Sequence, residues 1–594
     1  LTASTVMVGV YNACLFWFLM GLAVGRQEET EKGTVPFGDS PFFNWMFSNK
    51  HPFRWVFFIT GAGGIIAQVI LMRELLVGFY GNELTIGIIL ANWVILEALG
   101  VIAGGWIIKR AKNKLNIFTL FTVIFSILLI VLIFLARTFK PILGLPQGEG
   151  VGILNILLIS GLALFPVAFC HGVLFNCGTS IFSSLGWAYA WETAGTIAGG
   201  LIITYIFLPH VGSFSAASIL AVLSIGSCFL IRKYLNKGMV YFCATSGFLI
   251  FVLFLLGGAN KLESISIAKE WNKENVISYR NSLYGNIAIT KKSGQTTLFY
   301  NGQPVIVAPY PDITFIEEFG NLPLLFHPYP KNVLIIGSGV GGLIKETLKH
   351  SDIKVDYTEI DPAIIQSVKD YFDKSARGEL ANARVHTINN DGRFFLRNTR
   401  NHYDVIIIGV SRVSDLTENR FFTFEFFLLA KQKLNQGGIL AFWLPGSLSY
   451  LSHDLKDLNA CVLNSLIQAY PFVRVIPGDY NIFLASSSKD ILAVTPVMIE
   501  ERISARHIFT QSLIPSYLLY RLDPGKVIWF GQALSGATKS MNLDLKPLAV
   551  FKSLVLWNKQ FSPIFANFLD FLEKINLSHI LTTILFLTAA IAFV

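Results

Sequence analysis

Four glycines and a serine, Gly337, Ser338, Gly339, Gly341 and Gly342, follow directly on an apolar run in KNVLIIGSGVGGLIKETLKH. A strand that turns through such a loop into a helix brings bare backbone and a helix N-terminus up to a ligand, which suits an anion or a polar nucleoside. The next apolar run, IKVDYTEID, closes on Glu359, at about the 20-residue spacing where such folds set a carboxylate on two ribose hydroxyls. A third run, ARVHTINNDGRFFL, ends in Asp391-Gly392, where a carboxylate can accept the amino group of an adenine. The glycine loop alone would serve a nicotinamide dinucleotide equally well. The added Asp-Gly favours an adenosine site of the S-adenosyl type, and a nucleotide fold that has lost its ligand is the plain alternative.

A second set of ionisable residues lies inside long apolar runs: Arg73 and Glu74 at the end of one, Glu97 within another, Glu192 early in a third. Charge at that depth is costly and marks a functional suspect. Arg73 and Glu74 read as snorkelling to an interface, whereas Glu97 and Glu192 would pair with Arg73 or line a polar cavity. Cys170, His171 and Cys177 in CHGVLFNC read as small buried side chains. A metal or a disulfide is the alternative there, and no metal site is expected.

The elements that must position these residues are legible in the same runs. Val333–Ile336, IKVDYTEID, ARVHTINN, YDVIIIGV and GGILAFWLPG read as five strands of an open, mostly parallel sheet, with the ligand across their carboxyl ends. Before them, residues 280–310 alternate short β-like runs around Asn301-Gly302, a hairpin signal. Five phenylalanines, Phe421, Phe422, Phe424, Phe426 and Phe427, read as the core side of a helix starting near Thr423 or as an exposed contact face.

Only 14% of the 594 residues are charged and 53% are hydrophobic, against about 25% charged in a soluble domain. The deficit is local. Apolar stretches of span length run at about 3–24, 54–76, 82–108, 115–136, 151–176, 180–208, 212–231, 238–257 and 576–594, with small residues at GAGG, GVIAGG and GTIAGG that let helices pack closely. The expected organisation is a bundle of about eight spans over 1–258, a linker and small β unit over 259–330, a Rossmann-like domain over 331–490, an extension over 491–575 and the start of a further span at 576–594. Both ends lie inside apolar runs and read as trimmed. Lys109, Arg110, Lys112 and Lys114, with Arg232, Lys233 and Lys237, mark two loops as cytoplasmic. Alternation from there puts the globular domain on the non-cytoplasmic face. The net charge of +9 belongs to such loops, so the bilayer and other membrane subunits are the expected partners, not nucleic acid.

Together these residues resemble the spermidine synthase family, the polyamine aminopropyltransferases, and specifically bacterial membrane-integral relatives that fuse the synthase-like domain to multispan segments. The resemblance covers about 270–490. It extends to MNLDLKPLAVFKSLVLW (541–557), to LMREL around Arg73 and to AYAWETAGTIAGG (188–200). It implies an S-adenosylmethionine-dependent transferase fold, a bacterial inner-membrane location, and decarboxylated S-adenosylmethionine or S-adenosylmethionine as ligand. By position, Tyr284-Gly285 would belong to a β unit closing over the cleft. Gly337, Ser338, Gly339 and Gly341 would form the nucleotide loop, Glu359 would hold the ribose, and Asp391 with Gly392 would meet the adenine.

The departures fall on acids. Where the family carries the Asp that receives the amine proton, at the end of the YDVII strand, this chain has Gly409. The loop Asp becomes Val340, and Tyr-His-Glu becomes Phe315-Ile316-Glu317. Asp415, Glu418 and the surviving Glu317 are the candidate substitutes. The nucleotide half thus reads as retained and the amine half as degenerate, with ordinary transfer to putrescine weak or absent. Three readings stay open: an S-adenosyl-type transferase with a more apolar acceptor, a non-catalytic scaffold or sensor in a membrane complex, and a transporter built on Glu97 and Glu192.

Overall fold

The computed structural model describes residues 52–145, 149–182, 185–271, 274–309, 311–410 and 413–561, with Thr582, Leu585 and Phe586. The expected span at 3–24 lies outside these residues, as does nearly all of 576–594. Seven described helices are long and apolar enough to cross a membrane. They are α1 (Phe53–Phe79), α2 (Glu83–Arg110), α3 (Lys114–Ile142), α4 (Ile153–Thr179), α5 (Leu185–Ile202), α6 (Ser213–Ser227) and α7 (Lys237–Leu255), with α5 and α6 prolonged by short helical turns to His210 and Tyr234. An α-helix satisfies every backbone group within itself, which apolar surroundings demand. The turns between spans start helices by local caps: Asn82 accepts from the Thr85 amide, and Asn113 from Leu115 and Asn116.

The small residues are where helices touch most closely. A Cβ on Gly195 of α5 would stand 1.8 Å from the Phe58 carbonyl oxygen of α1, and one on Gly172 of α4 would stand 2.0 Å from the Glu97 carbonyl oxygen of α2. Only bare backbone fits there. The α5 helix widens into a π turn over Ile203–Phe207. Pro209 accounts for it, because its ring crowds the carbonyl four residues earlier and it has no N–H to donate.

The chain forms two compact units, one holding chiefly the helices α1 to α7 with α8 (Gly258–Glu270), the other the α/β sheet. In the sequence, α8 is followed by a four-stranded sheet of β1 (Val276–Asn281), β2 (Asn286–Lys292), β3 (Gln295–Tyr300) and β4 (Gln303–Ala308), paired in that order. The β3–β4 turn has Asn301 at φ +49° and Gly302 at φ +80°, the conformation Asn-Gly is suited to.

After α9 (Ile313–Phe326), the larger sheet has seven strands: β5 (Asn332–Ile336), β6 (Lys354–Glu359), β7 (Val385–Asn389), β8 (Tyr403–Ile408), β9 (Leu434–Pro445), β10 (Phe472–Ile476) and β11 (Tyr480–Ser486). Their order is β10-β11-β9-β8-β5-β6-β7. β9 to β7 run parallel, and β11 and β10 add an antiparallel edge. Val333–Ile336 and Val405–Ile408 are buried, as expected for central strands covered on both faces. The chain order reverses between β5 and β8, so the crevice such sheets offer a ligand opens beyond Ile336 and Ile408.

The five phenylalanines are mostly core. Thr423 caps the helix Phe424–Lys433, and Phe421, Phe422, Phe426 and Phe427 are buried against Phe442 and its neighbours.

Candidate functional site

The two strands that flank the crevice end in glycine on both sides. Gly337 turns at φ +68° and donates its amide to Thr358 O (2.9 Å), and Gly409 donates to Ile336 O (2.9 Å). Ser338 takes the left-handed conformation at φ +47°, and Gly341 and Gly342 lie at +97° and +129°. A Cβ on Gly339 would stand 2.7 Å from the Tyr357 ring. The loop therefore approaches the crevice as bare backbone, as a ligand cradle requires. Its helical side is already served: Glu379 accepts the Gly342 amide at 3.3 Å, and burial pushes that carboxyl up to about 7. Val340 is buried, apolar where the resemblance implied an acid.

Glu359 stands at the carboxyl end of β6, 7% exposed, accepting from the Tyr357 hydroxyl (3.0 Å) and the Asp361 amide (3.4 Å). Burial pushes it up to about 7. Asp391 caps the helix that Gly392 opens by accepting from the Phe394 amide (2.7 Å), and its other oxygen pairs with Arg420, whose guanidinium lies over Phe421. A carboxylate offers about four lone-pair sites, so neither Glu359 nor Asp391 is saturated by these bonds. Gly392 cannot carry a side chain without meeting Ile336 at 2.4 Å.

Each candidate substitute acid is engaged in local hydrogen bonds. Asp415 accepts from the Glu418 amide (2.7 Å), while Glu418 accepts from the Ser414 amide and hydroxyl. This reciprocal pair fixes the start of the short helix Leu416–Asn419, and burial raises the Asp415 carboxyl. Glu317 accepts the amides of Gln511 and Ser512 at 2.6 to 3.0 Å. Glu318 pairs with Arg521 (2.8 Å) and accepts from the Tyr517 hydroxyl, all within the buried seam of α9. The position the resemblance assigns to the proton acceptor is closed off by backbone. A Cβ on Gly409 would stand 2.2 Å from the Gly337 carbonyl oxygen.

The stretch 541–557 holds the loops after β7 and β8 in place. Asn542 is fully buried, donates to Asn419 Oδ1 and Phe422 O (2.9 Å each) and accepts from the Ala549 amide. Asp544 binds Arg393 and the Thr423 hydroxyl.

In the bundle, Arg73 donates to the Ser282 carbonyl (3.0 Å). Glu74 does not snorkel: it is buried and doubly bound by Arg137 (2.6 and 2.8 Å), which also reaches Glu263 and Ser266. Glu97 meets His171 Nδ1 at 2.6 Å. Cys170 and Cys177 are buried free thiols. Sequence reasoning missed Arg137 as the partner of Glu74 and set His171 beside the cysteines. An intramembrane histidine was itself a signal. Tyr357, Glu379 and Arg420 had none, since only the tertiary fold brings them to the loop.

Residues 314–492 match the model of the spermine/spermidine synthase domain family. The polyamine aminopropyltransferase of Oceanobacillus iheyensis is 26% identical, over 42% of this chain and 50% of its own length. That of Lachnospira eligens is 36% identical, over 32% of this chain and 68% of its own length. A crystal structure of spermidine synthase from Thermotoga maritima aligns with a TM-score of 0.36 and 22% identity, covering 43% of this chain and 87% of that one. The chain thus spans half the length of the Oceanobacillus relative.

Proposed function

The chain belongs to the spermine/spermidine synthase family, and from that premise we propose a membrane-integral synthase-like protein that keeps an adenosyl cleft but has lost ordinary aminopropyl transfer to putrescine. The ligand class is decarboxylated S-adenosylmethionine or S-adenosylmethionine. Gly337 to Gly341 offer their backbone, Glu359 holds the ribose hydroxyls, and Asp391 accepts from the adenine amino group on the lone pairs Arg420 leaves it.

One observation carries the reading: a side chain at position 409 would stand 2.2 Å from the Gly337 carbonyl oxygen. A protonated amine is a poor nucleophile until a nearby base takes its proton, and attack needs the amine in line with the carbon beside the sulfonium. The chain has no acid at 409 to do the first, and one added there would displace the Gly337 loop. Glu317, Asp415 and Glu418 are bound to backbone amides. A transferase with an acceptor that is already nucleophilic would tolerate this, and so would a non-catalytic sensor or scaffold. The same engagement of all three acids in structural bonds is what favours the sensor.

The test uses the full chain in detergent. Calorimetric binding of methylthioadenosine that disappears in Glu359→Ala supports the cleft, and undetectable affinity overturns it. Labelled decarboxylated S-adenosylmethionine with putrescine should yield no spermidine above the protein-free background. Enzyme-like turnover would refute the loss of transfer. The Lys and Arg loops support a domain on the non-cytoplasmic face, which reagent access to a cysteine introduced at Lys291 in intact cells would check.

A further inference from the structure

Three titratable side chains from three spans converge inside the bundle, on residues the adenosyl cleft does not use. His171 of α4 lies against α1, where a Cβ on Gly64 would fall 2.3 Å from its Nε2. Its Nδ1 is 2.6 Å from Glu97 Oε1 of α2, and the Trp93 indole N–H donates to the other carboxylate oxygen at 3.0 Å. Nε2 faces the Thr60 carbonyl oxygen at 3.3 Å. Glu192 of α5 is within electrostatic reach of the same imidazole and accepts from the Thr196 hydroxyl at 3.1 Å. From α1, α3 and α6 the groups facing the ring are uncharged: Thr60, Thr122, Phe125, Ser224 and Ser227. These residues line a cavity of about 10 Å³ beside the ring, room for one water. Among the described residues no three His, Cys, Asp or Glu side chains form a metal-holding set.

The contacts fix a proton count. A carbonyl oxygen only accepts, so Nε2 carries a hydrogen. Nδ1 then either carries a second one toward Glu97 or accepts one from it. In both cases the pair holds one proton more than a neutral imidazole beside a carboxylate, and the 2.6 Å separation is that of a charge-assisted bond. Without that proton, two acceptors would face each other and a net negative charge would remain in the bilayer interior.

We propose that the His171–Glu97 pair is the loading site of a proton path through the bundle, with Glu192 as the next acceptor and the cavity beside the ring as the entry for water. The cycle is proton transfer without redox change. On release, the shared proton passes to Glu192, whose carboxylate becomes neutral as the His171–Glu97 pair takes one negative charge. A hydronium ion in the cavity then reloads the pair and leaves as water, and the cycle closes when Glu192 gives its proton to a water molecule on the other side, which departs as hydronium, so one positive charge moves through this part of the bundle per cycle. The spans thereby have an activity of their own, independent of the adenosyl cleft.

The full chain reconstituted in liposomes with an entrapped pH dye, under an inside-negative potassium diffusion potential set by valinomycin, tests this. Wild-type vesicles should acidify faster than protein-free vesicles, and His171→Gln and Glu97→Gln should fall to the protein-free rate. Glu97→Gln preserves the side-chain volume and an acceptor for Trp93, so it decides the matter if His171→Gln does not fold. Wild-type flux equal to that of protein-free vesicles would overturn the proposal, as would a monodisperse variant of either kind conducting like the wild type.

Discussion

Replacing Gly409 by alanine tests whether the acid is missing by backbone necessity. The new methyl carbon would sit 2.2 Å from the Gly337 carbonyl oxygen, where ordinary contact begins near 3.4 Å. Strand ends β5 and β8 must therefore part by about 1 Å. Overpacking of this kind costs about 1–3 kcal/mol. The movement also strains the Gly409–Ile336 and Gly337–Thr358 bonds, both 2.9 Å, each worth about 1 kcal/mol. A total near 3 kcal/mol would lower the unfolding midpoint of the α/β domain by about 6–12 °C. Urea-dependent pulse proteolysis of the full chain, reading fragments from residues 314–492, measures this without requiring the spans to unfold. Gly409→Asp should lose at least as much stability and still form no spermidine from decarboxylated S-adenosylmethionine and putrescine. Equal stability of Gly409→Ala and wild type would show that the loop does not rest on this position. Transfer activity in Gly409→Asp would show that a single acid was all the site lacked.

Three further outcomes follow from the same geometry. Glu318→Gln breaks an ion pair with Arg521 in which both side chains are about 5% exposed or less, so denaturant titration should show a loss of about 3–5 kcal/mol with adenosyl affinity unchanged. Burial raises Glu359 to about 7 from an ordinary 4.5. Its contribution to stability is therefore full below pH 4.5 and is lost as pH rises toward 7. Glu359→Gln should match wild-type stability in acid and exceed it above pH 7 in paired unfolding curves, while adenosyl affinity rises through pH 7 only in the wild type. Gly195→Ala should destabilise the bundle in SDS titration by about 1–3 kcal/mol, because its Cβ would meet the Phe58 carbonyl. Gly87→Ala, with open space around it, should gain up to about 1 kcal/mol from helix propensity.

What the sequence disclosed and what it withheld divide along physical lines. Span existence follows from apolar length alone, and all seven expected spans within the described residues are helices. Four of the five parallel strands were legible as largely buried apolar runs, and the part-exposed β7 by the Asp391-Gly392 turn that follows it. β10 and β11 were not, because FVRVI and YNIFLAS lack a clean alternation and pair at the sheet edge through long-range contacts. At the site, the glycines and Glu359 announce themselves by local chemistry. Arg420 beside Asp391 and the Gly337 carbonyl beside Gly409 are products of tertiary closure, with no local trace. The same holds for Glu74 and Arg137, whose pairing joins α1 to α3.

The contact of Gly195 with α1 also bears on how the bundle is made. The α5 span is the least apolar of the seven and carries Glu192, so it enters lipid least readily by itself. Its partner α1 is synthesised four spans earlier and must wait in the bilayer with a groove at Gly61 and Ala62 unfilled. Insertion of α5 is then a docking event onto a helix already present, and a defect in α1 would be felt first as failed membrane insertion of a segment more than a hundred residues downstream.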